Sequence, residues 1–189
     1  MCEYETICAC CGPQTRAGLP LCPTCGGRPT FRYAYDAVKW DDRLPRSLWR
    51  CWHLLPVKPT ERLVNLDEGG TPLLRSRSCA ARRLWLKDET RNPTGSHKDR
   101  VLALGTNHAL AVGAGVSAVV SAGSTRQSHV AYAARAGLTH LALMSADTPV
   151  ERAHPVFALG TKIVMVDAPI DLIIETLDAA RQSRFRLTG

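Results

Sequence analysis

Leu84-Trp85-Leu86, then Lys87-Asp88-Glu89-Thr90-Arg91-Asn92-Pro93-Thr94-Gly95-Ser96, then His97-Lys98-Asp99-Arg100: an apolar stretch, a polar loop and the start of a helical pattern that runs to about residue 112. Strand, loop, helix is the natural reading. The same alternation continues downstream, with a strand from Ser117 to Ser121, a helix from Thr125 to Ala136 and a strand from His140 to Met144. A helical turn around residues 150–159, a strand from about Lys162 to Val166 and the segment Ile170 to Arg181 complete the series. In that last segment Ile170, Ile173, Ile174 and Leu177 share one helical face. Strands separated by helices pair in parallel because the helix supplies the crossover, so the expected class is α/β, a parallel sheet with flanking helices.

Upstream of this region, Leu66-Asp67-Glu68-Gly69-Gly70-Thr71-Pro72-Leu73-Leu74 reads as a tight loop before a short extended stretch. It is open to two readings, a bland turn or a ligand loop. Residues 37–65 hold Trp40, Trp49 and Trp52 among prolines 45, 56 and 59, and read as linking structure with short helical pieces. Residues 1–36 contain Cys8-Ala9-Cys10-Cys11-Gly12 and Cys22-Pro23-Thr24-Cys25-Gly26-Gly27, followed by the alternating Phe31-Arg32-Tyr33-Ala34-Tyr35. Each CxxC turn brings two thiolates to one ion, and two turns complete a tetrahedron. Cys8, Cys11, Cys22 and Cys25 are therefore the expected ligands of a structural Zn²⁺, with unliganded thiols as the alternative. Cys2, Cys10, Cys51 and Cys79 have no assignment. The organisation expected is a zinc-ribbon-like segment at 1–36, a linking region at 37–65 and a catalytic α/β domain at 66–189.

Composition supports a soluble protein. Of 189 residues, 45% are hydrophobic and 22% charged, enough apolar content for a core, and no apolar run approaches the ~20 residues that span a bilayer. No membrane partner is expected. The first twelve residues carry neither a basic nor an apolar leader pattern, so the expected location is cytoplasmic. A net charge of +7 from 24 basic and 17 acidic residues comes without a clustered Lys/Arg run, so it reads as surface solvation and nucleic acid is not an expected partner.

Two places offer chemistry. Lys98 falls in the first turn of its helix, where the partial positive charge of the helix end disfavours an ammonium and favours the nucleophilic free amine. Such an amine can condense with an aldehyde cofactor, whereas a surface lysine needs only water. Position alone leaves both readings standing. Ser121-Ala122-Gly123-Ser124-Thr125-Arg126-Gln127-Ser128 lies between a strand and a helix. Its backbone amides and hydroxyls can receive a carboxylate or phosphate, or Ser124 or Thr125 can simply cap the helix.

Taken together, the CxxC pairs, Glu68-Gly69-Gly70-Thr71-Pro72-Leu73, the stretch Leu86 to Arg100 and the stretch Ser121 to Gly137 occur in the order found in a known family. The chain resembles the pyridoxal-phosphate enzymes of the tryptophan synthase β type, and among them the threonine synthases most closely. Asn92-Pro93-Thr94-Gly95-Ser96 and, one residue on, Lys98-Asp99-Arg100 match the family's cofactor-lysine segment. The resemblance implies a partial tryptophan synthase β-like fold, pyridoxal 5'-phosphate as cofactor and Lys98 as the Schiff-base lysine that also shuttles protons. It implies a small amino-acid substrate, O-phospho-L-homoserine, which loses phosphate and gains water at Cβ to give L-threonine. Ser121, Gly123 and Thr125 would receive the substrate carboxylate, and Ser124 would stand where an asparagine usually bonds the cofactor's phenolic oxygen.

Three positions depart from the family pattern. Ser124 replaces that asparagine, Arg126 stands where a small residue is common, and His97 replaces a phenylalanine before the lysine. Arg126 would either crowd the ligand loop or recruit an anion. No glycine-rich cup for the cofactor phosphate follows the lysine, so the expectation is a truncated chain, completed by a C-terminal half or by oligomerisation. Other amino-acid lyases or β-replacement enzymes of the same fold, a zinc-ribbon binding module and a non-catalytic remnant are the competing readings.

Overall fold

The computed structural model describes residues 4–13, 21–38, 41–58, 60, 62–77, 84–149, 151 and 154–182. Cys2, Cys79, Trp40, Pro59 and the terminal Arg186-Leu187-Thr188-Gly189 lie outside them. Two compact units divide the chain, Met1–Glu61 and Arg62–Gly189.

In the first unit, β1 (Tyr4–Cys8) pairs antiparallel with β2 (Gly12–Pro13) and with β3 (Thr30–Tyr33), giving the order β2-β1-β3. The pairing of Tyr4 with Tyr33 and of Thr6 with Phe31 puts these side chains on one face. Tyr4 packs edge-on against Phe31 with ring centroids 5.1 Å apart. Glu5 and Arg32 face each other on the opposite side, 3.8 Å apart and exposed, where an ion pair contributes little. Among the described residues between β3 and Glu61 are two short 3-10 segments, Tyr35–Ala37 and Leu48–Leu54, the second broken at Cys51.

The second unit holds the α/β layer. Its helices and strands in chain order are α1 (Lys98–Ala111), β6 (Val116–Val120), α2 (Ser124–Ala136), β7 (Thr139–Ser145), α3 (His154–Phe157), β8 (Lys162–Val166) and α4 (Ile170–Gln182), preceded by β4 (Leu73–Arg75) and β5 (Trp85–Lys87). Strands β6, β7 and β8 pair in parallel in that order, as the helical crossovers require. On β7, the central strand, His140, Ala142 and Met144 alternate into the interior. Strand β7 packs against α2, where Arg126 meets Met144 and where Val130, Tyr132 and Ala133 are fully buried. Gly137 ends α2 at φ 70°, ψ 19°, a left-handed residue that a side chain would strain.

Two features differ from the sequence expectation. The Leu84-Trp85-Leu86 stretch does not open the parallel sheet: β5 pairs antiparallel with β4 in a separate two-stranded sheet, Leu74 opposite Leu86. Periodicity identifies a strand but says nothing of its partner. In α4 only Ile173 of the apolar stripe is buried, while Ile170 and Ile174 remain exposed.

Candidate active site and cysteine cluster

Lys98 is the first residue of α1 and half-buried; its backbone N–H donates to Ser96 Oγ at 3.2 Å. Among the described residues its Nζ has no hydrogen-bond or ion-pair partner. The adjacent carboxylate is committed elsewhere. Asp99 is fully buried and accepts three hydrogen bonds, from Thr94 N at 2.7 Å, Thr94 Oγ1 at 2.5 Å and Ser128 Oγ at 2.6 Å. Because Ser128 belongs to α2, the first turns of α1 and α2 are held side by side.

A second network fixes the loop before Lys98. Glu89 receives both Nε and Nη2 of Arg100, at 2.8 and 2.9 Å, together with Thr71 Oγ1 at 2.7 Å and Asn92 Nδ2 at 2.9 Å. The Arg100 guanidinium, aided by Thr71 and Asn92, holds the Glu89 carboxyl down to about 2. Asn92 also accepts from Gly69 N at 3.0 Å, and Lys87 Nζ donates to the carbonyl of Thr71. The Glu68-Gly69-Gly70-Thr71 loop is thereby clasped to the Lys98 segment. Gly69 and Gly70 lie at φ 91° and 60°, conformations that leave the backbone free to make this turn.

At the other candidate element, α2 starts at Ser124 after an N-cap at Gly123, and no side chain makes a cap hydrogen bond. The capping alternative for Ser124 and Thr125 therefore does not hold; Ser121 Oγ instead accepts from Gly123 N at 3.2 Å. Ser124 and Gly123 are exposed, Ser121 and Thr125 half-buried. The amides of Ser124 and Thr125 have no acceptor among the described residues, as expected of a first helical turn. A Cβ placed on Gly123 would meet nothing within 4 Å, so the turn is open. Arg126, which sequence placed at the ligand loop, is instead buried beneath α2, with Nη1 donating to Met144 Sδ on β7 at 2.9 Å.

In the first unit the sulfurs of Cys8, Cys11, Cys22 and Cys25 all lie within 4.8 Å of one another. Tetrahedral zinc with bonds of about 2.3 Å would set its sulfurs roughly 3.8 Å apart. The Cys8–Cys25 separation is 3.4 Å. Backbone N–H groups of Cys10 and Cys11 hold the Cys8 thiol below its ordinary range, and those of Cys25 and Thr24 bring Cys22 down to about 6. Cys11 is pushed up to about 12, first through its hydrogen bond with Cys25. A Cβ on Gly27 would stand 3.3 Å from Cys25 Sγ and 3.6 Å from Cys8 Sγ, so the cluster closes over a residue with no side chain.

Residues 64–186, which include both networks and the Ser121–Thr125 turn, match the family model described as pyridoxal-phosphate dependent enzyme. The chain belongs to that family. A threonine synthase of Methanocaldococcus jannaschii is 32% identical over 169 residues, covering 84% of this chain and 41% of the relative. One of Methanosarcina acetivorans is 33% identical over 153 residues, covering 76% and 37%. Among solved structures, a pyridoxal 5'-phosphate-dependent aspartate racemase superposes with a TM-score of 0.51 at 25% identity, over 60% of this chain and 37% of that one. The chain spans about two fifths of the length of the curated relatives it matches. Its donor set fits the family's cofactor: a primary amine without a carboxylate partner among the described residues, on a helix tied through Asp99 and Ser128 to a second helix whose first amides are open.

Sequence reading singled out Lys98 and the 121–125 turn and offered the Ser128 hydroxyl to an anionic ligand, whereas it donates to Asp99; it gave no role to Thr94, Asp99 or the Glu89–Arg100 pair. The signal for them is weak, because polar residues in a loop look alike until a tertiary partner buries them. Among the described residues no helix is long and apolar enough to cross a membrane.

Proposed function

We propose that this chain carries the lysine-bearing part of a threonine-synthase-like enzyme that converts O-phospho-L-homoserine and water to L-threonine and phosphate in the cytoplasm. The observation that carries the reading is the setting of Lys98, an amine at a helix start whose neighbouring carboxylate is fully engaged by Thr94 and Ser128. The threonine synthase relatives support the choice of substrate. When bound, pyridoxal 5'-phosphate serves as an electron sink for charge developing at the substrate's carbons. Lys98 Nζ anchors the cofactor and, when free, moves the proton at the substrate Cα. The amides of Ser124 and Thr125, with Ser121 and the open space over Gly123, receive the substrate carboxylate. Ser124 Oγ donates to the cofactor's phenolic oxygen from a shorter reach than an amide side chain has.

Cys8, Cys11, Cys22 and Cys25 hold a structural Zn²⁺, which four sulfur ligands leave without an open position for substrate. A complementing C-terminal half, or a second copy of the chain, supplies the remainder of the cofactor site. Mixing the purified chain with pyridoxal phosphate, reducing with borohydride and mapping the modified peptide tests the reading. Modification at Lys98, lost in Lys98→Ala, is expected; a folded chain modified only at other lysines refutes it. Phosphate release from O-phospho-L-homoserine, against other phosphorylated or acetylated amino acids, then tests the substrate.

A further inference from the structure

Asp99 stands out among the buried groups because its one carboxylate serves two parts of the fold. Oδ2 accepts Thr94 N at 2.7 Å, while Oδ1 accepts both Thr94 Oγ1 at 2.5 Å and Ser128 Oγ at 2.6 Å. Thr94 lies in the loop that leads into Lys98, and Ser128 lies one helical turn beyond Ser124, on the same side of α2. The carboxylate has no exposed surface, so water cannot replace a lost partner. An asparagine at this position keeps the shape but presents an N–H₂ donor where one of the three donors now points.

We infer that Asp99 is a positioning residue that sets the register between the Lys98 end of α1 and the Ser124 end of α2. The amine that anchors the cofactor and the turn that receives the substrate carboxylate are thereby held as one site, an assignment of purpose that rests on the function proposed above. Lys98 then needs no side-chain partner of its own to hold its place. Its backbone N–H donates to Ser96 Oγ, and the next residue, Asp99, is tied to Thr94 and Ser128.

Amide hydrogen exchange on the full chain, without cofactor, tests the coupling directly. In Asp99→Asn, exchange in residues 94–98 and in 124–128 is expected to accelerate together by at least about tenfold relative to the rest of the second unit, the loss of one buried charged hydrogen bond. Ser128→Ala is expected to accelerate 124–128 while leaving 94–98 near wild type, and Thr94→Val the reverse. These single-tie variants decide the matter should Asp99→Asn fail to fold. In parallel, borohydride-trapped modification by pyridoxal phosphate at Lys98 is expected to slow about tenfold in Asp99→Asn, with a changed pH profile. Wild-type exchange in both segments of Asp99→Asn, or acceleration spread evenly over the chain, overturns the inference. So does an unchanged rate and pH profile of Lys98 modification in that variant. If wild-type Lys98 is not modified at all, the cofactor reading fails, while the exchange data still decide whether Asp99 couples the two helix starts.

Discussion

Tyr132 Oη donates to Glu68 Oε2 at 2.8 Å, and neither side chain has any exposed surface. This bond joins α2 to the glycine-pair loop across 64 residues of sequence, and the Leu66 N–H donates to the same carboxylate oxygen at 3.0 Å. Burial, and after it the Glu68 carboxylate, push the Tyr132 phenol well above its ordinary range. A phenol raised on folding stabilises the fold below its unfolded value near 10, and that contribution is lost as pH rises beyond it. Tyr132→Phe is expected to cost about 1.5–3 kcal/mol at neutral pH, measured by denaturant unfolding, and to lessen the alkaline loss of stability. An unchanged alkaline limb in the variant would show that another group sets it.

Glu89 gives the opposite sign. Arg100 holds its carboxyl down to about 2, so the stabilisation is complete above the ordinary glutamate value of 4.5 and disappears as pH falls from there towards 2. Glu89→Gln is expected to destabilise the second unit by about 1–3 kcal/mol at pH 7 and by little at pH 2. Stability curves of both proteins against pH should converge at the acid end; parallel curves would contradict the assignment.

His129 governs a milder acid range. It lies buried between α2 and β6, with Nε2 2.6 Å from Ser117 Oγ and Nδ1 without a hydrogen-bond partner among the described residues. Desolvation, and then the nearby His140, lower it to about 4. Protonation would bury a charge and a donor with no acceptor, so stability is full above about 6.5 and falls as pH drops towards 4. The size of that loss is on the order of 3 kcal/mol. His129→Gln, which keeps a polar group for Ser117, should flatten the melting temperature over this interval; a wild-type slope in the variant would assign it elsewhere.

For the cysteine cluster, the sensitive position is Gly27. Adding one methyl group brings a carbon to 3.3 Å from Cys25 Sγ, so the sulfur has to give by a few tenths of an ångström. Gly27→Ala is expected to weaken zinc binding about tenfold, read by competition with a chromophoric chelator, while Cys22→Ser abolishes stoichiometric zinc. One zinc per wild-type chain is the expected elemental content. A wild-type chain purified with zinc available yet carrying none would remove the structural-metal reading and leave the cofactor reading untouched.

Local chemistry by itself determined the series of helices and strands from Lys98 to α4, the placement of Lys98 at a helix start and the grouping of Cys8, Cys11, Cys22 and Cys25. Those features depend on neighbours a few residues apart: a 3.6-residue or two-residue period, a proline, a glycine, a CxxC turn. Only the tertiary structure decided that β5 pairs with β4, that Arg126 lies buried against Met144, and that Asp99 reaches Ser128. A buried polar side chain takes whichever partner long-range packing brings within hydrogen-bond distance, and an extended segment pairs with whichever edge is presented to it. Neither choice leaves a trace in the spacing of residues along the chain.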